Sequence, residues 1–295
     1  MPNFGASRGI DVRLGSENMN AIVFDIDNTL TPPREPLDKD MAERLSALGR
    51  PFALAAGSDR ELLMSQFFEP LHAHGYRGEF DAFICNGASR YRCQCGDTLR
   101  VSAIDEFSLR AHLGAENFGQ LVSLLDQLLG DPRFALPSRV PILGERIVDR
   151  QAMINLAPSG RLKGALSDAA RRSRDQFVAF DVETGYRARL MPVLRRAIDE
   201  RLPDNDLLLT LGGQTSFDIV VRGRDKSFAV RTLLDEGIER VTYVGDALFP
   251  GGNDAAVADF VASWPGGNCP VDVIAVSDFR HTAALMDGWA RETQS

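Results

Sequence analysis

The feature that most narrows the possible folds is a repeated one. Short, wholly apolar runs stop at loops carrying acids, hydroxyls or glycines, and stripes of apolar residues at helical spacing follow. Ala21 to Phe24 stops at Asp25, Pro51 to Ala56 at Gly57-Ser58, Ala82 to Cys85 at Asn86-Gly87, and Val241 to Val244 at Gly245-Asp246, while Val271 to Val276 closes the series. Such runs read as strands buried on both faces, as in a parallel sheet. Met41, Leu45 and Leu48, then Leu63, Phe67 and Leu71, and later Ala229, Val230, Leu233 and Leu234 (closed by Gly237) recur at helical spacing, and His281 to Glu292 reads as a last helix. Repeated strand–helix units predict an α/β fold built on a doubly wound, Rossmann-like parallel sheet.

The stretch from about Val101 to Arg222 has a different texture. Helical stretches (Phe118 to Leu129; Leu190, Val193, Leu194, Ala197 and Ile198) flank short alternating strands such as Ser216 to Val221. That mixture predicts an α+β module with its own small sheet, inserted as a cap. The expected division is a core of residues 1–102 and 223–295 and a cap of residues 103–222.

Composition restricts the function. With 295 residues, 44% apolar and 25% charged, the chain is of ordinary globular character. It has no apolar run long enough to span a membrane. Met1 to Asn20 lacks an apolar core for a secretory signal and reads as a frayed leader, so a cytoplasmic location is expected. Cys85, Cys93, Cys95 and Cys269 lack the doubled spacing of a zinc site and read as reduced thiols. A net charge of −8 argues against nucleic acid as a partner, and it means that any anion must be held by locally concentrated arginines or a metal ion.

Four constellations carry chemistry. Asp25 and Asp27 stand where the first strand runs out, and ligands of open α/β sheets sit at strand carboxyl ends. Two carboxylates at this spacing repel unless a cation or a proton offsets them. A carboxylate nucleophile, a metal and an acid for the leaving oxygen are what phosphoryl transfer needs, and a solvated turn is the alternative. Ser58, ahead of a helix, offers a hydroxyl and nearby N–H groups to an anion, or serves as a cap. Lys226, before another helix, is a cation fit to hold a phosphate or is simply solvated. Asp246 and Asp254 flank the glycine-rich loop after Val244, where both can approach a hard cation.

In this order the motifs resemble those of the haloacid dehalogenase superfamily. The stretches Asp25 to Arg34, Arg150 to Arg161, Gly212 to Asp218 and Gly245 to Asp254 are similar to the eukaryotic-type phosphomannomutases. The resemblance implies that Asp25 is the nucleophile that becomes an aspartyl phosphate and Asp27 the general acid/base. Mg²⁺ would be held by the carboxylates of Asp25 and Asp246 and the backbone carbonyl of Asp27, with Asp254 in support. Ser58 and Lys226 would bind the transferring phosphoryl group. Arg150, Arg161, Arg174, Ser216 and Asp218 of the cap, with Arg34 of the core, would bind substrate. The implied enzyme interconverts hexose 6- and 1-phosphates, with mannose as the expected sugar, through a hexose 1,6-bisphosphate that also serves as activator. Its implied assembly is a homodimer formed through the cap. Ser216 and Asp218 share one strand face while Phe217, Ile219 and Val221 share the other, a sensible way to present polar groups to sugar hydroxyls. The chain departs from the family at Asn28, which stands for Gly, at Gln151-Ala152 for Asn-Gly, and at Ala157 for Ser. It is also longer between Arg161 and Arg174. A phosphosugar phosphatase and a non-catalytic phosphosugar sensor are the alternatives on the same scaffold. Retention of all four motifs argues against the sensor.

Overall fold

A computed structural model describes residues 20–162 and 167–292. The expected leader therefore lies outside the described residues, except for Asn20, which opens the first strand. So does part of the longer stretch between Arg161 and Arg174. No helix among the described residues is long and apolar enough to cross a membrane.

In chain order, β1 (Asn20–Phe24) leads through a loop to α1 (Lys39–Ser46), whose N–H at Met41 is capped by the Asp38 carboxylate and whose Met41, Ala42 and Leu45 are buried. Next come β2 (Phe52–Ala55), α2 (Arg60–Leu63), a π-helical turn (Met64–Phe68) and α3 (Glu69–Ala73). Three strands follow, β3 (Gly78–Ile84), β4 (Ser89–Cys95) and β5 (Leu99–Asp105). The middle region holds α4 (Leu109–Gly130), β6 (Glu145–Asp149), β7 (Ile154–Arg161), α5 (Asp168–Thr184), α6 (Tyr186–Arg201), β8 (Leu207–Gly212) and β9 (Ser216–Val221). The chain then returns through α7 (Ser227–Asp235), β10 (Arg240–Gly245), α8 (Ala255–Ala262), β11 (Val271–Ala275) and α9 (Phe279–Glu292).

The strands make two sheets. Seven lie in the order β11-β10-β1-β2-β3-β4-β5, and four in the order β6-β7-β9-β8. The first five of the large sheet are parallel, as the wholly apolar runs predict. The parallel run ends at one edge of the sheet. There β4 and β5 pair antiparallel, and their outer positions are partly exposed, because an edge hairpin is covered on fewer sides than a central strand. The edge strand β5 also runs past the expected boundary at residue 102. The middle region has a further helix, α5, in the Arg-rich stretch whose polar sequence hides its buried side (Ser173, Phe177, Phe180).

Two apolar clusters flank the large sheet. Ile22, Phe24 and Leu54 point to one with Phe52, Phe67 and Phe80, whereas Val23, Ala53 and Tyr243 point to the other. A third cluster joins Phe217, Ile219 and Val221 of β9 to α4 and α6, so β9 keeps the alternation read from its sequence. Each fully buried leucine or phenylalanine contributes roughly 1.5–3 kcal/mol.

Candidate active site

Parallel register explains why distant acids meet. Phe24 aligns with Val244 on β10 and with Leu54 on β2, and the Asp25 N–H donates to the Val244 carbonyl at 2.9 Å. Asp25 therefore leaves β1 beside Gly245 and Asp246. With neighbours on both sides of β1, this carboxyl end is the natural crevice of the sheet. Asp25, Asp246 and Asp254 each offer a carboxylate oxygen within 4.8 Å of the others. Gly245 makes this possible, since a Cβ there would overlap the Asp254 carboxylate.

Lys226 is fully buried among these acids rather than solvated, and it donates to Asp25 Oδ1 and to Asp254 Oδ1, both at 2.6 Å. Asp254 also accepts from the Tyr243 hydroxyl at 2.5 Å and from the Ala247 N–H at 2.8 Å. Both of its oxygens are thereby engaged, which suits a supporting part. Burial pushes Asp25 well above the usual carboxylate range; Lys226 opposes this, and Asp254 and Asp246 add to it. Burial likewise raises Asp246, with Asp254 contributing. For Lys226 burial alone would lower the ammonium, but Asp25 and Asp254 together override it and raise it. Three acids set against one ammonium leave negative charge uncompensated. An all-oxygen donor set of this kind fits a hard divalent cation.

Asp27 sits in a tight turn closed by the Asn28 N–H to Thr31 carbonyl bond at 2.8 Å. Its Oδ1 accepts from the Arg34 N–H at 2.8 Å and from Gln66 Nε2 at 2.7 Å. Asn28 has a left-handed backbone (φ 62), which explains why this position suits Gly and tolerates Asn, and its Nδ2 donates to Asp246 Oδ2 at 3.1 Å. The departure from the family thus adds a bond between two motifs.

Facing the acids across a cavity of about 320 Å³ stand the predicted cap residues. Asp25, Asp27, Ser58 and Asp246 line it together with Arg34, Arg150, Arg161, Arg174, Ser216 and Asp218. Ser58 is buried at the end of β2, where its carbonyl accepts from the Cys85 N–H at 2.9 Å. Arg150 donates to the Gly57 carbonyl at 2.7 Å, Arg161 to Ser216 Oγ at 3.1 Å and Arg174 to Gln214 Oε1 at 2.9 Å. The buried Nε atoms of Arg34, Arg150 and Arg161 have no hydrogen-bond partner among the described residues. Burial, then Arg150, then Arg34 push the Arg161 pKa down to about 9, and burial followed by Arg150 lowers Arg34. Arg150 Nε lies 3.5 Å from Asp59 Oδ2 in an ion pair. Partly buried guanidiniums gathered around one cavity make an anion-binding site, which is how an acidic protein concentrates positive charge.

Sequence reasoning missed several groups. Gln66, on the π-helical turn, holds Asp27, and Asn155 Nδ2 donates to Ser216 Oγ at 2.9 Å and to Asp218 Oδ1 at 2.5 Å. Arg187 lines the cavity and donates to the Gly213 carbonyl at 2.7 Å, which secures the turn between β8 and β9. Asn155 carried a readable signal, being a polar residue set between Ile154 and Leu156 at the start of β7. Gln66 carried none, since Leu63, Phe67 and Leu71 describe an ordinary helix without it. Cys85, Cys93, Cys95 and Cys269 are all free thiols, and Cys85, Cys93 and Cys95 are buried.

Comparisons with known proteins agree with this arrangement. Phosphomannomutase of Schizosaccharomyces pombe (strain 972) is 31% identical over 235 residues, which cover 79% of this chain and 82% of that protein. Phosphomannomutase 2 of Dictyostelium discoideum is 28% identical over 249 residues, 83% and 89% of the two chains. Among solved structures, the N-terminally truncated, IMP-bound IMP-nucleotidase of Plasmodium falciparum superposes with a TM-score of 0.58 at 15% identity, over 94% of this chain and 69% of that one. The C-terminal domain of the C. albicans trehalose-6-phosphate phosphatase does so with a TM-score of 0.52 at 12% identity, over 93% and 92%. These two likenesses establish the fold, an α/β architecture on a mostly parallel sheet. Residues 50–261 match the family described as eukaryotic phosphomannomutase, and the chain belongs to that family.

Proposed function

We propose that this protein is a phosphomannomutase that moves a phosphoryl group between the 6- and 1-hydroxyls of a hexose, mannose being the expected sugar. The observation that carries this reading is that a carboxylate cluster and an arginine cluster line one cavity, so that a sugar can present a phosphate to each. One phosphate would lie against Asp25, Ser58 and Lys226 while Arg150, Arg161, Arg174 and Arg34 hold the other. Asp25 attacks phosphorus, the bond from phosphorus to the sugar oxygen breaks, and Asp27 gives that oxygen its proton. The next hexose monophosphate runs this step in reverse, its free hydroxyl giving a proton to Asp27 and taking the phosphoryl group as the bond to Asp25 breaks. The bisphosphate so formed turns end for end and returns its other phosphate to Asp25, which releases the isomeric monophosphate. Ser216 and Asp218 orient the sugar, and the arginines exclude water from the aspartyl phosphate by keeping the cap against the core.

Mg²⁺ would be held by Asp25 and Asp246 with the carbonyl of Asp27, supported by Asp254, and when bound it supplies positive charge that offsets the carboxylates and the transferring group. Hexose 1,6-bisphosphate would charge Asp25 at the outset. The working division is a core of residues 1–102 and 223–295 closed by a cap of residues 103–222, with homodimer contacts made through the cap.

The test follows ³¹P resonances of mannose 1-phosphate incubated with the protein, Mg²⁺ and a trace of hexose 1,6-bisphosphate. Growth of a 6-phosphate signal is the expected result. Release of inorganic phosphate alone would replace the mutase with a phosphosugar phosphatase.

A further inference from the structure

One buried amide joins the two halves of the site. Asn86 follows β3 with a left-handed backbone (φ 56), and its N–H donates to the Ala56 carbonyl at 2.8 Å, tying it to the end of β2 close to Ser58. Its side chain is almost wholly enclosed, at 2% exposure. Nδ2 donates to Asp218 Oδ2 of the cap strand β9 at 2.6 Å, and Oδ1 accepts from Asn253 Nδ2 at 3.1 Å. A carboxylate can only accept, so Nδ2 must face Asp218 and Oδ1 remains for Asn253. Gly57 makes room for the pair, since a Cβ there would stand 3.0 Å from Asn86 Oδ1 and 3.4 Å from Asn253 Nδ2.

The bonds continue in both directions. On the cap side, the second oxygen of Asp218 accepts from Asn155, which also reaches Ser216. On the core side, Asn253 precedes Asp254, whose carboxylate holds Lys226, and Lys226 holds Asp25. Few side chains donate at one end and accept at the other over so short a reach. Asp at this position would set two carboxylates against each other, and an aliphatic residue would leave two buried polar partners unmatched.

We propose that Asn86 is a positioning residue through which sugar binding at Ser216 and Asp218 orders the loop from Gly245 to Asp254 and thereby sets the acid–lysine cluster. The proposal rests on the reading above that Ser216 and Asp218 meet the sugar. Filling the cap site fixes Asp218, Asp218 fixes the amide, and the amide fixes Asn253 next to the supporting acid.

Two variants test this without straining the turn. Asn86→Gly accepts the left-handed backbone and deletes both bonds, while Asn86→Asp keeps the shape and reverses the chemistry toward Asp218. Hydrogen exchange across residues 245–254 is measured with and without mannose 1-phosphate, alongside kcat/KM. In the unmodified protein the loop gains protection on binding, and both variants lose most of that gain. Asn86→Asp lowers kcat/KM by about a hundredfold in the otherwise unmodified protein, through like-charge opposition. It lowers it only a few-fold when added to Asp218→Asn, because N86D/D218N again sets an amide against a carboxylate. Equal losses in both backgrounds, or variants whose loop gains full protection, would overturn the proposal. Product identity judges the mutase reading separately. A protein that binds the phosphosugar yet releases only inorganic phosphate defeats that reading, while loop protection and the cycle measured on phosphate release still decide the role of Asn86.

Discussion

The two ends of the cavity carry their charge in opposite ways. At the core end, Asp25, Asp246 and Asp254 surround Lys226, and the ammonium is matched at 2.6 Å by two of the three acids. In the arginine cluster, Arg34, Arg150 and Arg161 are partly buried and their Nε atoms lack hydrogen-bond partners, and burial followed by Arg150 lowers Arg34 and Arg161. Asp59 Oδ2 lies 3.5 Å from Arg150 Nε, and Asp218 is already occupied by the amides of Asn86 and Asn155. The core end is a partly neutralised network that holds its shape before anything binds. The cap end is a set of cations short of counter-charge, whose electrostatic cost is relieved when an anion arrives. The comparison teaches that chemistry and recognition ask for different states of the empty protein, one a hydrogen-bonded network that keeps excess negative charge for a cation and the other a set of cations with donors left for an anion.

That contrast can be broken in order of expected effect. Asp25→Asn should lower turnover by about 10⁴-fold or more, because it removes the nucleophile and not an orienting contact. Calorimetry should still record phosphosugar binding, since the cap end is untouched. An active Asp25→Asn variant would remove the core end from the chemistry. Lys226→Met should destabilise the protein by about 3–5 kcal/mol, because it leaves buried carboxylates without their partner. Denaturant unfolding measures this, and an unchanged midpoint would contradict the picture of a preassembled network.

Arg161→Leu sharpens the comparison, because its expected effect on stability has the opposite sign. Removing one of several mutually repelling buried cations should leave the empty protein at least as stable, by the same unfolding measurement, while raising the phosphosugar KM about 10- to 100-fold.

How much of this was legible follows from distance along the chain. Asp25, Ser58 and Asp246 were readable because each stands at the end of an apolar strand-length run, and parallel strands bring such ends to one edge. The polar face of Ser216 and Asp218 was readable from the period of a strand. The antiparallel pairing of β4 and β5 was not, because an edge hairpin with few wholly apolar runs resembles the onset of the middle region. Gln66 was hidden by its π-helical turn, and Asn86 by an ordinary Asn-Gly signature that predicts a turn and nothing about what the amide touches.

The sequence alone determined the strand–helix order, the acids and hydroxyls at strand ends, and the family, since these depend on local composition and spacing. Only the tertiary structure decided that Lys226 is buried between two acids, that the Nε atoms of three cavity arginines lack hydrogen-bond partners, and that one amide spans cap and core. Burial, charge compensation and hydrogen-bond pairing belong to groups brought together by packing, and residue order by itself carries no measure of the distance between them.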